Sequence, residues 1–111
     1  MTDETRGLID AKALGSLPAG ACVVNVARGP CVVEADLVSA LREGRLAGAA
    51  LDCTDPEPAT QDSPLWAMPN VLITPHTAGE TRKYEANVIE ILMENLDRLW
   101  RGDAMLRNQV V

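Results

Sequence analysis

Aromatic side chains are almost absent from this 111-residue chain, which has two Trp, one Tyr and no Phe. A core must therefore be assembled from Val, Leu, Ile, Ala and Met, a set that suits a buried parallel sheet flanked by helices. Little is left on which to stack bases. Lysine is nearly missing too: the ten cations are Arg apart from Lys12 and Lys83, so a bound anion would meet a planar guanidinium fork. The cations are outnumbered by 16 acidic residues, for a net charge of −6, and a phosphate backbone would be repelled. Nucleic acid is excluded as a partner. No apolar run approaches the roughly 20 residues of a membrane span, and the opening MTDETRG lacks the apolar stretch of a secretory signal. The expectation is a soluble cytoplasmic protein with no membrane partner. The three cysteines, Cys22, Cys31 and Cys53, form no CxxC spacing, which excludes a disulfide framework and a zinc site. They are expected to be buried thiols acting as small hydrophobes in a reducing compartment, with no metal bound.

What is present is a globular composition, 47% hydrophobic, at the length of one small domain. Three short apolar runs stand out, Ala21 to Val26, Gly48 to Asp52 and Asn70 to Thr74. They are continuous rather than alternating, so they read as strands buried on both faces. Helical patterns lie around them. Asp10 can cap a short helix through Leu17, stopped by Pro18 and Gly20, and Glu34 to Glu43 places Leu37, Val38 and Leu41 on one face before Gly44 closes it. The longest helix is expected from about Glu80 to Arg101, with Val88, Ile89, Leu92, Met93, Leu96, Leu99 and Trp100 recurring at helical spacing. Strands alternating with helices through short connections imply parallel crossovers and the doubly wound α/β class. Three strands are few for such a sheet, whose usual size is about five or six. Either a partner supplies more strands or the chain belongs to a larger fold.

In open parallel sheets ligands bind at the carboxyl ends of the strands, and each run here exits into chemistry. The first leaves through Asn25-Val26-Ala27-Arg28-Gly29-Pro30. An Arg at so sharp a turn can grip a carboxylate through two parallel N–H bonds, or it can simply cover a helix end. The second ends at Asp52 and continues through Asp55 and Glu57, stiffened by Pro56 and Pro58. These acids could orient an imidazole, or form a solvated acidic loop. The third ends in Thr74-Pro75-His76-Thr77-Ala78-Gly79, with the only histidine of the chain, the side chain suited to proton transfer near neutrality. Brought to one cleft, the three exits supply an anion clamp at Arg28, a partner acid at Glu57 and a proton donor at His76. Such a trio can reduce a 2-keto acid: Arg28 binds the carboxylate and polarises the carbonyl while His76 protonates its oxygen as hydride arrives.

The stretches ETRGLID, ACVVNVARGPCVVEADLVSALREGRLAGAALDCTDPEP and SPLWAMPNVLITPHTAGET, followed by a long closing helix, resemble the C-terminal part of the D-isomer-specific 2-hydroxyacid dehydrogenases. The resemblance covers essentially the whole chain. It rests on an NxARG turn, an LDxxxxEP loop and a PHxAG turn in the family's order and at its separations, while EADLVSAL and SPLW point to a glyoxylate/hydroxypyruvate reductase-like branch. It implies a catalytic triad of Arg28, Glu57 and His76, with Asp52 near a nicotinamide. Val26, Ala27, Arg28, His76, Thr77, Ala78 and Gly79 would line the same end of an NAD or NADP cofactor. It also implies a small 2-keto or 2-hydroxy acid substrate, a last helix leading toward a substrate domain, and a homodimer or an association through the exposed sheet edge.

The departure from the family pattern lies in glycine. A dinucleotide-binding unit opens on G-x-G-x-x-G, and this chain contains no G-x-G. Residues 1–111 are therefore expected to be a partial NAD(P)-binding domain, the distal half of a Rossmann-type sheet. In a full-length member the pyrophosphate cradle and the substrate domain would lie upstream of Met1. Without them the chain alone should not transfer hydride. The rival reading is a non-catalytic remnant, or a dehydrogenase-like interaction protein that keeps the fold for binding; the intact Arg28, Glu57 and His76 with Asp52 weigh against decay.

Overall fold

The computed structural model describes residues 2–110, which fall into two compact units divided between Ala78 and Gly79. The first unit holds a three-stranded parallel sheet in the order β1 (Ala21–Asn25), β2 (Leu46–Leu51), β3 (Val71–Ile73). Helix α1 (Ala11–Ser16) precedes β1 and α2 (Glu34–Arg42) joins β1 to β2. This is the expected alternation of strands and helices, and all strand pairs are parallel.

The local signals act as predicted. The Asp10 carboxylate accepts from the Ala13 N–H at 2.8 Å and so caps α1, while Asp36 of α2 accepts from Ala11 N at 2.8 Å and ties the two helices together. At the other end of α1, Arg45 donates to the carbonyls of Gly15 and Leu17, groups that a helix terminus leaves without partners. Helix α2 is followed at Gly44 by a turn with φ +70°, a conformation that a Cβ would strain. Its buried face, Leu37, Val38, Ala40 and Leu41, meets Leu14 of α1, Leu46, Ala49 and Leu51 of β2, and Leu65 from a short 3-10 turn. Strand β2 begins at Leu46, two residues before the predicted run, because Leu46 lies wholly inside this core. The stretch Ala47 to Ala50, which has no side chain beyond Cβ, is a strand through tertiary pairing rather than propensity.

The expectation that the strands are buried on both faces is corrected. Only the face toward α1 and α2 is covered. On the other, the row Val24, Ala50 and Leu72, aligned by the strand register, leaves Val24 67% and Leu72 60% exposed. The outer edge of β1 has no strand beside it among the described residues. Fully covering a Val or Leu side chain is worth about 1.5–3 kcal/mol, and a free edge invites pairing. The isolated chain is therefore expected to associate as its concentration rises, as followed by sedimentation velocity; a monomer giving a sharp cooperative melt at low concentration refutes this. The cysteine expectation is corrected in part, since only Cys53 is buried, Cys31 is half-buried and Cys22 lies on the open face.

The second unit carries helix α3 (Tyr84–Arg101), preceded by residues 79–83 and followed by a further segment. Its start lies beyond the predicted Glu80 because residues 80–83, Glu-Thr-Arg-Lys, carry no apolar side chain to bury. It closes on Gly102 at φ +76°, with Gly102 N–H bonded to Leu99 O and Asp103 N–H to Arg98 O. The following segment folds back: Arg107 N–H donates to the Asn95 side chain at 2.7 Å and its guanidinium meets Glu90 and Glu94. These arginine contacts, from Arg107 first and Arg98 next, hold the Glu94 carboxyl below its ordinary range. The predicted apolar stripe, Val88 to Trp100, is exposed on the opposite side. No helix among the described residues is long and apolar enough to cross a membrane.

Candidate active site at the strand ends

The exits of β1, β2 and β3 interlock. At the end of β1 the buried Asn25, 6% exposed, donates from Nδ2 to Arg28 O at 2.9 Å and accepts at Oδ1 from Ala27 N–H at 3.1 Å. Its side chain thus shapes the turn that carries Val26, Ala27 and Arg28. Its own carbonyl accepts from Asp52 N–H at 2.9 Å, which joins this turn to the end of β2. Immediately after Arg28, a Cβ on Gly29 would lie 1.9 Å from the Thr54 carbonyl oxygen, so the two exits touch backbone to backbone. The Arg28 side chain is exposed and donates to Ala27 O at 2.6 Å.

Asp52, 5% exposed, organises the exit of β3. Its Oδ1 accepts from Thr74 Oγ1 at 2.6 Å and Thr77 N–H at 3.0 Å, and its Oδ2 from Ala78 N–H at 2.8 Å. The Thr74 hydroxyl, then the two backbone N–H groups and the nearby His76, hold this carboxyl below its ordinary range against the opposing effect of burial. A group with a lowered folded pKa adds stability above its unfolded value near 3.8 and loses it as pH falls through the folded one. Thermal midpoints of the wild type should therefore drop as pH falls below about 4, and Asp52→Asn should flatten part of that drop. Equal pH slopes in the two proteins would show that Asp52 is not responsible.

Between those bonds sits His76, at φ +56°, a left-handed backbone uncommon for any residue with a side chain and concentrated at functional positions. Its Nδ1 is hydrogen-bonded to Glu57 Oε1, with both side chains about 40% exposed. The acid loop and the lone histidine, 19 residues apart, are thus one pair. A cleft of about 410 Å³ opens beside them, walled by Glu57, His76, Thr74, Pro58, Trp66 and Ile73. Cys53 also lines it, its thiol pushed up by burial and by the carboxylates of Glu57 and Asp52, with Arg28 opposing.

The structure thus brings together Glu57 with His76, and Asp52 with Thr77 and Ala78. It places Val26, Ala27 and Arg28 on the adjoining turn, while Gly79 opens the second unit. Asn25 and Thr74 were not among the expected site residues, although both interrupt or end an apolar run where a polar side chain is out of pattern. No group of three or more His, Cys, Asp or Glu side chains placed to hold a metal ion occurs among the described residues.

Comparison with known proteins identifies the family. Residues 1–78 match the family model described as D-isomer specific 2-hydroxyacid dehydrogenase, NAD binding domain. Glyoxylate/hydroxypyruvate reductase A from Klebsiella pneumoniae subsp. pneumoniae is 49% identical over 102 residues, covering 92% of this chain and 32% of the relative. This chain spans about a third of the length of the curated relatives it matches. A D-isomer specific 2-hydroxyacid dehydrogenase from Xanthobacter autotrophicus Py2, solved in complex with NADPH and MES, superposes with a TM-score of 0.91 at 47% identity, covering 100% of this chain and 45% of that one. D-mandelate dehydrogenase from Rhodotorula graminis gives 0.83 at 29% identity, covering 100% of this chain and 33% of that one. The open three-stranded sheet with its helices is a Rossmann-type half domain, and the chain belongs to the D-isomer specific 2-hydroxyacid dehydrogenase family.

Proposed function

We propose that this chain is the nicotinamide-side half of an NAD(P)-dependent 2-hydroxyacid dehydrogenase, and that Arg28, Glu57 and His76 are its catalytic residues. The observation that carries this reading is the Glu57–His76 hydrogen bond at the mouth of a strand-end cleft. The cofactor fit is partial. No G-x-G occurs in the chain, so no phosphate cradle is built from it. The nicotinamide end is better matched. Among the described residues Asp52 Oδ2 takes the Ala78 N–H alone, which leaves it lone-pair capacity for a carboxamide donor, and Val26 and Ala27 offer exposed apolar surface on the adjoining turn. Val26, Ala27, Arg28, Asp52, His76, Thr77, Ala78 and Gly79 would serve that end. When bound, nicotinamide supplies the hydride.

The residues of the chain divide the remaining work. Arg28, freed from Ala27 O, pairs its guanidinium with the substrate carboxylate. Glu57 accepts the Nδ1–H of His76 and so directs Nε2 to the reacting oxygen. In the reductive direction Nε2–H gives its proton to the keto oxygen; in the oxidative direction Nε2 takes the hydroxyl proton. The substrate class is a small 2-keto or 2-hydroxy acid, with glyoxylate and hydroxypyruvate the first to try. Association of two copies, through the free β1 edge or beyond it, belongs to the same proposal.

The test is a chimera that places the part of the Xanthobacter enzyme not matched by this chain ahead of residues 1–111. It is expected to oxidise NADPH in the presence of glyoxylate or hydroxypyruvate, while the 111-residue chain alone gives no turnover. A folded chimera that binds NADPH yet reduces no small 2-keto acid would refute the proposal.

A further inference from the structure

Trp66 follows Leu65, the wholly buried side chain that anchors the Pro64–Ala67 turn in the core. Its indole N–H donates to the carbonyl oxygen of Thr60 at 2.8 Å, and its ring shares the wall of the 410 Å³ cleft with Glu57, Pro58, Ala59 and His76. Within residues 55–62 only Ala59 is even half-buried, so burial does little to fix the stretch that carries Glu57. Fixation comes from its two ends. At one, Thr54 Oγ1 donates to Pro56 O at 2.9 Å, beside the tight approach of Gly29. At the other, the Thr60 carbonyl accepts from both Trp66 Nε1 and Ser63 N–H.

We infer that Trp66 is a positioning residue: its N–H ties Thr60 to a core-anchored turn, and this tether holds the stretch that keeps the Glu57 carboxylate on His76 Nδ1. The inference rests on the reading of Glu57 and His76 as the proton-transfer pair, but its test needs no catalysis. Loss of one neutral hydrogen bond shifts a local equilibrium by roughly two- to tenfold, enough to release a detectable share of Glu57 from the imidazole.

His76 is the chain's one histidine, so labelling histidine with nitrogen-15 leaves a single imidazole to follow. A neutral ring that donates Nδ1–H to Glu57 is the Nδ1–H tautomer, and the nitrogen shifts separate it from the Nε2–H form. In mildly alkaline buffer the wild type should show mainly Nδ1–H, and Glu57→Ala should move it to Nε2–H. Trp66→Ala should follow Glu57→Ala. Trp66→Phe, which keeps a ring and loses only the donor, should move the tautomer ratio by about two- to tenfold. Folded Trp66 variants with the wild-type ratio overturn the role, as does a Trp66→Phe that lowers the melting temperature and leaves the ratio untouched. If Trp66→Ala does not fold, Trp66→Phe decides alone. A Glu57→Ala protein that keeps the Nδ1–H form overturns the pairing and the inference with it. The expected tautomer pattern beside a catalytically dead chimera supports Trp66 while sinking the dehydrogenase reading.

Discussion

Replacing His76 by asparagine in the active chimera is expected to lower kcat by about 10²- to 10⁴-fold, the range that a positioned general acid contributes, while NADPH affinity changes little. Each tenfold step corresponds to about 1.4 kcal/mol of barrier. Asparagine is the informative replacement because the backbone at position 76 stands at φ +56°, a region that Asn tolerates well. His76→Ala removes the proton donor too, but it also places an ordinary residue in a left-handed conformation. That backbone carries the Thr77 and Ala78 N–H groups bound to Asp52, so an alanine effect mixes chemistry with displacement of the turn. Glu57→Gln should retain more activity than either, since the imidazole survives and loses only the charge of its partner. Steady-state kinetics and cofactor titration check the assignment together; equal losses in turnover and in NADPH binding would count against it.

Substitution of Gly29 by alanine should be among the most destabilising single changes in the first unit. The added Cβ would fall 1.9 Å from Thr54 O, 2.1 Å from Thr54 C and 2.8 Å from Asp55 N. These are backbone atoms, held in place by Thr54 Oγ1 on Pro56 O and by the pairing of β1 with β2, so no flexible side chain can move aside. Overpacking of this kind costs about 1–3 kcal/mol, and for a domain of this size each kcal/mol lowers Tm by roughly 4–8 °C. A fall of at least about 5 °C is expected, together with reduced kcat in the chimera, because the Arg28 turn and the acid loop are pushed apart. Gly15→Ala is the internal control. Nothing lies within 4 Å of a Cβ there, and within α1 alanine is favoured over glycine by about 1 kcal/mol. The same chemical change should thus have opposite signs at the two positions; a Gly29→Ala protein melting within a degree of the wild type would show that the close approach is not obligatory.

How much of this was legible beforehand differs by element. Helix α2 was readable almost residue for residue, because Leu37, Val38 and Leu41 keep the helical period and Gly44 supplies a left-handed stop. The Asp10 cap of α1 was equally plain. The apolar pattern of β2 begins two residues after the strand does, since nothing in Leu46-Ala47 speaks for a strand until α2 covers Leu46. The start of α3 differs from the pattern for the opposite reason, polar residues 80–83 being compatible with a helix that no packing supports. At the site, Arg28, Glu57 and His76 were singled out because each follows an apolar run. Asn25 and Trp66 carry no such signal, because one bonds to backbone partners and the other to a carbonyl six residues away.

The amino-acid sequence by itself determined the α/β alternation, the order of the three strand exits and the chemical types placed at each, because periodicity, caps and turn residues act over a few neighbours. Only the tertiary structure decided that Glu57 reaches His76 across 19 residues, that Asp52 turns inward to Thr74, Thr77 and Ala78, and that Val24 and Leu72 stay uncovered. Those outcomes depend on loop closure and on which surfaces meet, quantities set by the whole fold and written in no local pattern.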